Sequence, residues 1–67
     1  MIAYLLKDNN EHIYGYRRGY TNNAFDITND VFIMFNNYSW ALEVAEALNK
    51  PQLGLALPIT VLEIEIL

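Results

Sequence analysis

A chain of 67 residues that is 54% hydrophobic and lacks cysteine has room for one domain, residues 1–67, and no disulfide or thiolate–metal staple to hold it. Its net charge of −4 is unevenly spread: Lys7, Arg17 and Arg18 outnumber Asp8 and Glu11 in the first part, whereas Lys50 alone opposes Asp26, Asp30, Glu43, Glu46, Glu63 and Glu65 in the rest. Four basic side chains among eight acidic ones make a poor counterion-releasing surface, which argues against direct nucleic-acid binding and for a basic protein partner.

Ile2 to Lys7 is apolar at both parities, the pattern of a strand covered on both faces, and Asp8-Asn9-Asn10-Glu11 supplies turn chemistry leading into a hairpin. The second strand of that hairpin, His12 to Tyr20, sets Tyr14, Tyr16, Arg18 and Tyr20 on one face, interleaved with Gly15, Arg17 and Gly19. Tyrosine and arginine are the residue types enriched at interface hot spots, so Tyr14, Tyr16, Arg17, Arg18 and Tyr20 form the candidate partner-binding stripe. The plainer reading of the same stripe is sheet packing with the hydroxyls in water. Phe25 and Ile27 alternate with Asp26 and Thr28 as a short edge strand, and Val31 to Phe35 is an uninterrupted apolar run read as a buried strand.

Asn37 suits the N-cap of a helix running to about Asn49, in which Ala41, Val44, Ala45 and Leu48 recur at helical spacing and Glu43, Glu46 and Lys50 fall on the opposite face. Leu53, Leu55 and Leu57 then alternate with small residues, and Ile59 to Leu67 is the clearest strand. There Leu62, Ile64 and Ile66 are expected to face the core and Glu63 and Glu65 to face water. Ile59 and Val61 have the opposite parity, which calls either for a bulge or for a second apolar surface. The sum is an α+β domain, β-β-(β)-β-α-β: a small antiparallel or mixed sheet of four or five strands with one amphipathic helix on one face.

Catalytic chemistry has little to work with. Nucleophilic catalysis would have to draw on a single histidine, His12, and a single serine, Ser39. The Asp8–His12 segment lacks the glycine and terminal glutamate of a calcium loop, and no glycine-rich phosphate loop precedes a helix. No catalytic residue, metal or cofactor is assigned. Met1-Ile2-Ala3-Tyr4-Leu5-Leu6 runs into Lys7-Asp8 without the layout of a signal peptide, and Pro51 to Leu62 falls short of the ~20 residues of a spanning helix. A cytoplasmic protein that does not enter the membrane is expected.

Phe35 to Asn49, followed by Leu57 to Ile64, resembles the strand–helix–strand half of small α+β proteins from phages and mobile elements of Gram-positive bacteria. What that resemblance implies is a bacterial host cell and a role in binding and inhibiting a host protein, for example a defence nuclease; it carries over no functional residue. The expected function is therefore a non-catalytic, acidic interaction module, with Asp26, Asp30, Glu43, Glu46, Glu63 and Glu65 steering and the tyrosine stripe anchoring. In the alternative, the apolar excess serves a homo-oligomer through Trp40, Leu53, Leu55, Leu57, Ile59 and Val61. An enzyme resting on His12 or Asp26 ranks last.

Overall fold

The computed structural model describes residues 1–17, 27–50 and 57–66. Among these residues five strands form an antiparallel sheet and one helix packs on it: β1 (Ile2–Lys7), β2 (Ile13–Arg17), β3 (Ile27–Thr28), β4 (Phe32–Ile33), α1 (Tyr38–Leu48) and β5 (Thr60–Glu65). The expected α+β class and element order are those of the structure. The expected extension of β2 through Tyr20, with Phe25 of β3 and Leu53 and Leu55, lies outside the described residues.

β1 is the centre of the sheet, paired with β2 on one edge and β5 on the other in the order β3-β2-β1-β5. The β1–β5 register is unbroken from Ile2 opposite Glu65 to Lys7 opposite Thr60. Because side chains alternate, Tyr4, Leu6, Tyr14, Tyr16 and Val61 share the face under α1, while Ala3, Leu5, Ile13, Leu62 and Ile64 share the other. Ala3 and Leu5 are buried on that second face. β1 is therefore covered at both parities, as its sequence requires.

The register corrects the expected phase of β5. Ile59 is buried in the core beneath α1 and Val61 packs against it, whereas Leu62, Ile64 and Ile66 are only half-buried. No bulge shifts the phase; the two sets of apolar residues serve two faces. Glu63 and Glu65 share the parity of Val61 but are exposed, further along the strand.

The Val31–Phe35 run is also corrected. Only Phe32 and Ile33 are strand, pairing with β2, and the chain then turns so that Phe35 exchanges two backbone hydrogen bonds with Tyr4 of β1 at 2.8 and 2.9 Å. A segment this short seats one residue deeply: Phe35 is fully buried, and Val31, Ile33 and Met34 are exposed. α1 forms as its pattern predicts. The Asn37 side chain accepts from the Trp40 amide at 3.0 Å, Asn49 caps the other end, and Ala41, Val44, Ala45 and Leu48 are the buried positions.

Gly15 marks a close approach. A Cβ there would lie 2.5 Å from Phe32 Cδ2 and 2.7 Å from the Ile33 carbonyl oxygen, so the ring of Phe32 fills the space that a side chain would need. Because the obstacle includes backbone, Gly15→Val is expected to cost about 1–3 kcal/mol, with Phe32 displaced from the sheet. Denaturant unfolding checks this, and a variant as stable as the parent would show that the strands can part freely.

Candidate functional site

The β1–β2 turn is organised by one carboxylate. Asp8 is 3% exposed; its Oδ1 accepts the amides of Asn10 at 2.9 Å and His12 at 3.0 Å, and its Oδ2 accepts the Tyr14 hydroxyl at 2.9 Å. His12 Nδ1 stands 3.5 Å from the same Oδ2. The Asp8 amide donates to the His12 carbonyl, closing a three-residue loop in which Glu11 takes the left-handed conformation (φ 67°), a position that usually goes to glycine. His12, the histidine on which nucleophilic catalysis would have to draw, is thus part of this turn, while Ser39 is exposed in the first turn of α1.

Removal from water by itself raises the Asp8 carboxyl, but the His12 amide, the Tyr14 hydroxyl, the Asn10 amide and the charge on His12 more than offset it and hold the group below its ordinary 3.8. A carboxyl with a lower pKa folded than unfolded stabilises the fold above about pH 4 and loses that contribution as pH falls through the folded value. Burial and the adjacent Asp8 carboxylate raise the Tyr14 hydroxyl above 10.0, so its contribution is complete below that pH and is lost as pH rises through the folded value. Asp8→Asn should therefore flatten the acid side: thermal midpoints of the parent should drop more steeply below about pH 4 than those of the variant. Parallel curves would assign the acid transition to other carboxylates.

The tyrosine stripe keeps its parity but not its exposure. Tyr16 is 3% exposed and sits between Phe35 and Trp40: its ring stacks on Trp40 at 4.5 Å between centroids and tilts against Phe35 at 4.7 Å, and its hydroxyl accepts the indole N–H at 3.0 Å. Tyr14 is half-buried and tied to Asp8. At Tyr14 and Tyr16 the expected contact surface is part of an aromatic core, because α1 lies on the face that these two tyrosines occupy. Arg17 is exposed on the other face, and Arg18 and Tyr20 lie outside the described residues.

Of the residues expected at an oligomer interface, Ile59 is the one that the structure places in the core. Ile59 is buried within the chain, and Trp40 and Val61 pack against its core; Leu57 is 37% exposed, and Leu53 and Leu55 lie outside the described residues.

The acidic residues fare differently. Glu43 and Glu46 are exposed on the outward side of α1, and Glu63 and Glu65 are exposed on the same side of the sheet. Among the described residues the only cation on that side is Lys50. Lys7 and Arg17 have the parity of the face opposite α1, and Lys7 is 3.6 Å from Glu11. Asp30 is exposed in the turn after β3, and Asp26 lies outside the described residues. Among the described residues Glu63 and Glu65 thus lie on the face opposite that of Lys7 and Arg17.

Apolar groups that sequence reasoning passed over stand beside these carboxylates. Tyr38 is 51% exposed, its ring edge-on to Tyr4 at 5.6 Å; Leu42 follows one helical turn later at 37%, and Ile2, two residues from Tyr4 on the same face, is 42% exposed. Ile2 is directly opposite Glu65, and Tyr4 directly opposite Glu63. The clue was available in Tyr38 and Leu42, which flank the buried stripe of the helix at helical spacing. An apolar centre with a charged rim is the composition of a protein interface.

Two open depressions are lined by Glu43, Glu46, Ala47 and Lys50, and by Arg17, Thr28, Asp30 and Val31. Among the described residues no three histidine, cysteine or acidic side chains are grouped to hold a metal ion, and no helix is long and apolar enough to cross a membrane. No protein family, curated protein or solved structure matches the chain.

Proposed function

We propose that this protein is an acidic interaction module that engages a basic surface of a partner protein through the helix-bearing side of its sheet. The observation that carries this reading is the sorting of Glu43, Glu46, Glu63 and Glu65 to one side, around exposed Ile2, Tyr38 and Leu42. The carboxylates steer a basic partner into encounter, and the apolar groups hold it. Occupying a basic functional surface blocks it, which is how such a module would inhibit a bacterial host protein of the kind the sequence resemblance implies. Tyr38 and Leu42 are the anchors in this reading, in place of the tyrosine stripe, whose Tyr16 is buried.

Affinity capture from a Gram-positive bacterial lysate tests the reading. One stoichiometric protein should be retained at about 50 mM salt, be released at about 500 mM, and be lost from a folded variant carrying Tyr38→Ser and Glu63→Lys. Capture of nothing, or capture insensitive to both salt and substitution, would overturn it.

A further inference from the structure

We propose that the outer edge of β5 binds an extended peptide segment of the partner in which basic residues alternate with uncharged ones, an inference that rests on the basic-partner reading above and names its chemistry. Among the described residues β5 pairs only with β1, and Thr60, Glu63 and Glu65 are exposed. The hydrogen-bond phase follows from the chain ends: Met1 and Ile66 exchange both bonds, the Ile66 amide donating to the Met1 carbonyl at 2.7 Å and the Met1 amine to the Ile66 carbonyl at 3.3 Å. Hydrogen-bonded pairs recur at every second position of an antiparallel ladder, so Ile64, Leu62 and Thr60 bond β1. The bonding on β1's other edge agrees, since the amides of Tyr4 and Asp8 donate away from β5, to Phe35 and His12.

The backbone N–H and C=O groups of Val61, Glu63 and Glu65 therefore point to the outer edge, away from β1. Those are the residues whose side chains lie on the acidic side. An incoming antiparallel strand that bonds Glu63 and Glu65 places its own residues directly opposite them on the same face, two positions apart, where lysine or arginine is favoured. Its intervening residues lie beside Leu62 and Ile64 on the face opposite α1, where small apolar or β-branched side chains pack. A second copy of β5 is a poor occupant: the two-fold register centred on Glu63 sets two Glu63 carboxylates directly opposite each other.

The test uses capped peptides of about seven residues. In one, lysines alternate with valine and threonine; the other has the same composition with its lysines in a block. The alternating peptide should bind the full chain more tightly and slow amide exchange at Val61, Glu63 and Glu65 by about tenfold or more, leaving Leu62 and Ile64 unchanged as internal controls. The double variant Glu63→Lys with Glu65→Lys, both surface positions, should lose that peptide and accept one with alternating glutamates. Equal binding of both peptides without amide protection overturns the edge inference and leaves the acidic-side reading standing. Binding of neither peptide at low salt overturns both.

Discussion

Phe35→Ala should bring the protein to the limit of folding. Phe35 is fully excluded from solvent, donates and accepts the backbone bonds that join β4's segment to Tyr4, and fits its ring against Tyr16 at 4.7 Å and Trp40 at 4.8 Å. Truncating a buried phenylalanine costs about 3–5 kcal/mol, and a domain of this length has a total stability of roughly 3–10 kcal/mol. The loss is large because the ring holds up two others: without it the Tyr16–Trp40 stack has one side open, and the hydrogen bond from the indole to the Tyr16 hydroxyl is exposed to water. Trp40 is the only tryptophan, so its fluorescence reports the site directly. Urea unfolding followed at that wavelength should show a strongly lowered midpoint for Phe35→Ala and a smaller change for Phe35→Leu, which keeps more of the volume. An unfolding free energy within about 0.5 kcal/mol of the parent for the alanine variant would mean that the aromatic group repacks without it.

Asn49→Ala should be nearly as damaging, for a reason found in hydrogen bonding rather than volume. The Asn49 amide grips the backbone of Ile59 at both ends: its Oδ1 accepts the Ile59 amide at 2.6 Å and its Nδ2 donates to the Ile59 carbonyl at 2.9 Å. Ile59 is 2% exposed, so with that side chain in place both backbone groups depend on it for their partners. Each unsatisfied buried group costs about 1–3 kcal/mol, which gives roughly 2–6 kcal/mol for the pair. The neighbouring exposed Lys50→Ala is the control and should shift stability by less than about 0.5 kcal/mol. Amide exchange at Ile59 should accelerate selectively in Asn49→Ala. An unchanged unfolding curve would show that Ile59 finds other partners.

These two residues also show where the sequence was readable. Asn49 was recognisable as the end of a helix because capping and the spacing of Ala41, Val44, Ala45 and Leu48 are local, decided within a few residues. Its grip on Ile59 was not, since that contact depends on where the chain returns ten residues later. The same division holds for the strands. The shared face of Tyr14 and Tyr16 follows from alternation alone, but whether that face meets water or a helix depends on where α1 lands. In β5, residues Ile59 and Val61 compete with Leu62, Ile64 and Ile66 for the core, and hydrophobicity cannot choose between two apolar parities. The choice is made by the register with β1, a long-range fact. For the interaction surface, composition disclosed the acidity, but only the folded sheet separates Glu63 and Glu65 from Lys7 and Arg17.

The pairing of β1 with β5 has one more consequence, for how the molecule assembles. The ladder joins residues 53 positions apart at Lys7 and Thr60, and 65 apart at Met1 and Ile66. Closing a loop of that size carries an entropic penalty that grows only as the logarithm of its length, by about 0.6 kcal/mol per doubling. The penalty is met almost entirely by the first pair to form, and each later pair adds its hydrogen bonds at little further entropic cost. The hairpin and the helix, built from near neighbours, are available early; the domain becomes one cooperative body only when its two ends find each other. High contact order of this kind slows folding relative to a helical chain of the same size.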